Sequence, residues 1–177
     1  GVRTSDWFIV TGGDGFQTRS DPEDPEIVYA SSQSGGIVRR NLRTGESGSI
    51  RPRVPFPDEA PARQREGGGE EQEDARPARA RERVNWDAPY IVSPHSPTRL
   101  YWASNFLYRS EDRGDSWERI SPDLSRNLDP DTLPVMGRVW PSDAIRLNQS
   151  TTPLSNIVTL DESPLLEGLL YVGTDDG

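Results

Sequence analysis

Two aspartates stand where a polysaccharide could be attacked. Asp14 lies in Gly12-Gly13-Asp14-Gly15, and Asp87 closes the run Asn85-Trp86-Asp87. Glycoside hydrolysis needs two carboxylates flanking the scissile bond, at a separation that decides between retention and inversion. The residue types that hold a sugar are present as well: amides and a carboxylate for hydroxyl groups, and an indole for stacking. They are Gln33, Asn85, Trp86, Asn105, Asn156 and Asp175, with Ser155 beside them. Each also has a plainer use. An Asp in a glycine-rich turn bonds its own backbone, and a Trp beside a turn fills a gap between strands. Asp14 and Asp87 are thus the only candidates for catalysis, without an assigned role, and the other six named first are candidates for binding.

A second constellation carries local folding chemistry. In Ser110-x-Asp112-x-Gly114-x-Ser116-Trp117, Asp112 is placed to accept backbone N–H groups within a turn. Gly114 suits a positive φ, and Trp117 opens the next strand and packs its ring. This octet is read as structural and not catalytic.

Composition removes several classes. The chain has 177 residues and a net charge of -9, which argues against nucleic acid or an anionic membrane surface as partner. It has no cysteine and one histidine, His95, so disulfides, thiolate metal sites and an internal Ser-His-Asp triad are not expected. No apolar run reaches the length of a membrane span. Gly12-Gly13-Asp14-Gly15 is not a P-loop, because no Lys-Ser/Thr pair follows. No metal or cofactor is predicted.

The elements that must position these residues repeat along the chain. A Pro-containing turn precedes an apolar-Tyr pair three times, at Val28-Tyr29, Leu100-Tyr101 and Leu170-Tyr171. Each pair follows an earlier short strand. The first copy predicts strands at 16–20, 27–32, 36–41 and 46–51, with Gly45 in the last turn. The second predicts strands at 89–93, 99–104, 106–110 and 116–121, and the third only the first two strands. Four-stranded units at such a period are propeller blades. The predicted fold is all-β, a partial β-propeller of about two and a half blades.

The divisions follow: a blade over 1–50, a charged Pro/Gly/Arg/Glu-rich loop over 51–83, a blade over 84–122, a long inter-blade loop over 123–150, and the start of a further blade over 151–177. The loop at 51–83 is too polar to offset its ordering entropy and is expected to be mobile. An open stack exposes strand edges, so the chain is expected to be a fragment, or to need further blades or another chain to close the ring. Connections fall at two ends of each blade. Asp14, Gln33, Asn85, Trp86, Asp87, Asn105, Asn156 and Asp175 share one end, and the 110–117 turn and His95 share the other.

The octet matches the Asp-box of bacterial neuraminidase-type repeats. With Gly12-Gly13-Asp14-Gly15-Phe16, Ile27-Val28-Tyr29-Ala30, Asn85-Trp86-Asp87-Ala88-Pro89, Ser121-Pro122-Asp123-Leu124 and Leu170-Tyr171-Val172-Gly173-Thr174-Asp175-Asp176-Gly177, the chain resembles large proteins related to the sortilin (VPS10) N-terminal propeller. Xyloglucanase-type glycosyl hydrolase propellers are more distantly similar. The resemblance spans nearly all of the chain outside the charged loop. It implies an extracytoplasmic binding or scaffolding module for a protein, peptide or glycan, or alternatively a glycoside hydrolase acting on a polysaccharide.

Overall fold

A computed structural model describes residues 1–55, 81–141, 143–145 and 152–177. The predicted mobile loop therefore lies largely outside the described residues, as does part of the loop at 123–150. Among the described residues there is no α-helix, and every strand pairing is antiparallel.

Three sheets form in chain order. Sheet I is a meander of β1 (Gly15–Ser20), β2 (Ile27–Ser32), β3 (Gly36–Asn41) and β4 (Ser47–Ser49). Sheet II repeats it with β5 (Tyr90–Val92), β6 (Leu100–Ala103), β7 (Leu107–Ser110) and β8 (Glu118–Arg119). Sheet III pairs β9 (Ile157–Glu162) with β10 (Leu170–Thr174). None of the three closes on itself. The inner strands match the sequence reading within one or two residues. The fourth strands are shorter than expected, and Trp117 precedes β8 and does not belong to it. Among the described residues these outer strands are paired on one side only, although single bonds from Ile50 N–H to Ile37 C=O and from Ile120 N–H to Leu107 C=O carry the ladder slightly further.

Alternation at period two explains how the sheets stack. From sheet II, Tyr90, Leu100, Trp102 and Tyr108 point to sheet I, where they meet Tyr29, Ile37 and Ile50. The intervening Ile91, Tyr101, Ala103 and Leu107 point to sheet III and meet Ile157 and Leu160. Four successive residues of β6 are at most 1% exposed. Trp102 lies 5.5 Å from the Tyr108 ring. Above it sits Gly35 at φ 75°, where an added Cβ would come within 2.7 Å of the indole.

Polar bonds repeat across both sheet boundaries at one end of the stack. Between sheets I and II, the fully buried Asp21 carboxylate accepts from Arg113 Nε at 2.6 Å and from the Tyr29 hydroxyl at 3.2 Å. Between sheets II and III, the buried Glu162 carboxylate accepts from the Ser93 hydroxyl at 2.6 Å and from the Tyr101 hydroxyl at 3.2 Å. His95 Nε2 lies 2.8 Å from the Ser163 carbonyl. Burial pushes the Asp21 carboxyl up, but Arg113 and the Glu23 and Asp24 N–H groups outweigh it and hold it below its ordinary value.

The 110–117 turn supplies Arg113 to that boundary. Ser110 Oγ accepts the Gly114 N–H at 2.8 Å, and Asp112 Oδ1 accepts the Ser116 N–H at 2.8 Å. The Ser116 hydroxyl donates to Asp112 Oδ2 at 2.5 Å. Trp117 packs against the sheet I–II core and donates its indole N–H to Ile50 C=O at 2.7 Å. Gly114 has φ 92°, and an added Cβ would lie 2.7 Å from Ile50 Cδ1. Gly114→Ala therefore combines a left-handed backbone strain with overpacking of a sheet boundary, and should lower unfolding stability by about 2–4 kcal/mol in urea titration. The same substitution at Gly45, where nothing lies within 4 Å of the added Cβ, carries only the backbone component, about 1–2 kcal/mol.

Candidate functional site

At the opposite end of the stack, the turns from second to third strands meet the segments that lead into each sheet. Asn105 follows β6 and is fully buried. Its Oδ1 accepts the Arg83 N–H at 2.8 Å, and its Nδ2 donates to Asp123 Oδ2 at 3.0 Å and to Arg81 C=O at 3.3 Å. Asn156, also fully buried, precedes β9. Its Oδ1 accepts from Asn85 Nδ2 at 2.9 Å, and its amide nitrogen donates to Asp175 Oδ2 at 3.1 Å and to the Pro153 carbonyl. Asp175 Oδ1 accepts the N–H groups of Ser155 and Asn156, both at 2.9 Å.

Arg83 joins these pieces. Its guanidinium reaches Asp123 Oδ2 at 2.6 Å, Ser125 Oγ and the Ser155 carbonyl, both at 2.9 Å. Its side chain is 12% exposed and that of Asp123 20%. Burial pushes the Asp123 carboxyl up. The Ser125 hydroxyl, Arg83 and Asn105 outweigh it and leave the group below its ordinary range. Beside this cluster opens a cavity of about 850 Å³, whose lining includes Arg81, Arg83, Asn85, Asn127, Asp129 and Asp175. The backbone at Asn127 is left-handed, with φ 51°.

Four of the six predicted binding residues, Asn85, Asn105, Asn156 and Asp175, thus belong to one bonded network. Asn105 and Asn156 are buried within it, so the role open to them is positioning. Trp86 stands next to it, its N–H on Thr152 Oγ1 at 2.9 Å and its C=O accepting the Ser34 N–H at 2.9 Å. Gln33 is apart, with its side-chain oxygen on the Asp14 N–H at 2.7 Å. Asp87 N–H bonds Asn85 Oδ1 at 2.9 Å, and desolvation holds the Asp87 carboxyl above its ordinary value. No bond joins Asp14 to Asp87 among the described residues, and none of these residues forms a group of three or more carboxylate or imidazole side chains placed to hold a metal.

Composition places Arg83 in the charged loop over 51–83 and Asp123 in the long loop over 123–150, so neither stands among the residues expected at a site. A usable signal was present: Arg83 directly precedes Val84-Asn85-Trp86, the end of the polar segment and the start of the packed one. No family model, curated protein or solved structure matches the chain.

Arg83→Ala would leave Asp123 charged and half-enclosed, at a cost of about 3 kcal/mol. The sign with pH is fixed by the lowered Asp123 value. The stabilisation is present above the carboxyl's unfolded value near 4 and is lost as pH falls through the lower folded value. The stability gap between wild type and Arg83→Ala, read from urea unfolding, should therefore be widest near neutrality and narrow below about pH 4.

Proposed function

We propose that the chain is part of a β-propeller of the neuraminidase-type-repeat, sortilin-like kind and acts as a binding or scaffolding module for a protein, peptide or glycan. Support for the architecture comes from the repeated meander, the face-to-face stacking in chain order and the side-chain bonds that hold the 110–117 turn. In this reading each sheet is a blade, and further blades or another chain complete the ring. The extracytoplasmic setting is proposed on the resemblance alone. Among the described residues, no helix is long and apolar enough to cross a membrane.

One observation carries the binding role. Each carboxylate at the cavity already accepts bonds from the protein itself. Glu82 takes the Tyr108 hydroxyl and Arg51, Asp129 takes the Asp131 N–H, and Asp175 holds two backbone N–H groups and an amide. Groups held in this way give a rigid polar surface, which suits recognition, and are poorly placed to shuttle protons. Asn127 lines the cavity and is half-buried there.

A glycoside hydrolase is the second reading, and it too has one observation in its favour. Asp87 and Asp14 are its candidate carboxylates; the Asp87 carboxyl is shifted in the direction of a general acid, on a residue that is largely exposed and that no bond joins to Asp14 among the described residues.

A panel of polysaccharides, oligosaccharides and peptides separates the two. Saturable binding without release of reducing ends is expected. Asn127→Gly keeps the left-handed backbone and removes one amide. It should weaken that binding about fivefold, with the melting temperature unchanged. Release of reducing ends that disappears in Asp14→Asn or Asp87→Asn would overturn the binding reading in favour of the hydrolase.

A further inference from the structure

The boundary between sheets II and III closes on a buried carboxylate that no cation holds. Glu162, the last residue of β9, is 2% exposed. Its Oε2 accepts the Ser93 hydroxyl at 2.6 Å. Its Oε1 accepts the Tyr101 hydroxyl at 3.2 Å and the Gly168 N–H at 2.8 Å. Ser93 follows β5, Tyr101 lies in β6, and Gly168 lies in the turn from β9 to β10. One side chain thus ties sheet II to β9 and to the turn before β10. Among the described residues its partners are hydroxyl and N–H groups, and no ion pair reaches it.

The hydrogens of this site are fully committed. His95 N–H donates to Ser93 Oγ at 3.1 Å, leaving the Ser93 hydrogen for Glu162. Three donors therefore converge on one carboxylate, which accepts from all of them. A proton on Glu162 adds a fourth donor and no acceptor. Whichever way the Ser93–Glu162 bond then runs, one buried hydrogen is left unbonded, and the closed boundary is destabilised.

The charged groups around the site do not relieve this. From sheet II, Arg99 is held by Glu111 at 2.9 Å and by Glu167 at 2.6 Å. His95 Nε2 carries a hydrogen to the Ser163 carbonyl at 2.8 Å, and a proton gained at Nδ1 leaves that bond in place. From sheet III, Asp161 and Glu167 are exposed, with Asp161 accepting the Glu162 N–H at 2.9 Å.

Two neighbouring contacts are built differently. At the boundary of sheets I and II, buried Asp21 faces the Arg113 guanidinium at 2.6 Å, which stays charged in acid. At the far end of sheet III, Ile157 N–H bonds Ser104 C=O at 2.8 Å and Arg83 Nε bonds Ser155 C=O at 2.9 Å.

We propose that Glu162 is an acid-released latch: on protonation the boundary between sheets II and III opens at the Ser93–Gly168 end and hinges about Ser104–Ile157, while sheets I and II stay together. The latch lies at the end opposite the cavity and does not rest on its reading.

Methyl NMR of the full chain from about pH 7 to about pH 3 spans the range in which carboxylates take up protons. Ile91 and Leu160, beside the latch in the sheet II–III core, should lose their packed signals on acidification. Ile157 at the hinge, and Ile37 and Ile50 in the sheet I–II core, should keep theirs. Tyr101→Phe removes one bond to the ionised carboxylate and keeps the ring, so opening should begin about half to one pH unit higher. Glu162→Gln carries hydrogens of its own at every pH. It should leave Ile91 and Leu160 unpacked already at neutrality, with no later transition. Four results would overturn the proposal: no opening down to about pH 3, loss of Ile37 and Ile50 together with Ile91 and Leu160, an opening unmoved by Tyr101→Phe, or an acid transition that persists in Glu162→Gln. Should Glu162→Gln fail to fold, the Tyr101→Phe shift decides alone.

Discussion

Strand β6 has no solvent side, and the arrangement of the molecule follows from that constraint. Leu100 and Trp102 face sheet I, and Tyr101 and Ala103 face sheet III. A strand buried on both faces must present apolar surface at every position, and Leu100-Tyr101-Trp102-Ala103 does so without interruption. The neighbouring sheets need only one apolar face each towards it. Sheet II is thus the layer on which the other two are assembled, and its fully buried aromatic side chains supply much of the apolar area removed from water.

The same constraint sorts the polar chemistry to the two ends of the stack. Bonds across the sheet boundaries cannot run through the apolar middle, so they gather where strands turn. At one end, buried Asp21 and Glu162 each take a Tyr hydroxyl from a second strand, and the 110–117 turn adds Arg113. At the other end, Asn105, Asn156, Asp175 and Arg83 tie the turn residues to the segments leading into sheets II and III. The cavity beside Arg83 exists because those segments are held there, with carboxylates and amides directed into the frame.

Much of this was legible in the sequence. Proline turns followed by an apolar-Tyr pair located β2, β6 and β10, since a buried strand in a meander imposes both signals at once. The division into two ends was legible too, because connection order alone dictates it. Two things were not. The fourth strands came out shorter than their apolar and polar pattern suggested, as an outermost strand is held by one neighbour and its ends fray readily. Arg83 was hidden because composition averages over a window, whereas its role depends on Asn105, Asp123 and Ser155, which lie far along the chain. A charged residue acquires such a role only through non-local partners, and single-sequence periodicity does not report them.

Native-state hydrogen exchange tests the primacy of β6 most directly. If the stack is assembled on a strand enclosed from both sides, the Leu100, Tyr101, Trp102 and Ala103 amides should exchange only through global unfolding, at the free energy measured by urea. The β9 and β10 amides should exchange through cheaper local opening. Exchange of the β6 amides as readily as those of β9, or retention of β9 protection after β6 has exchanged, would contradict it.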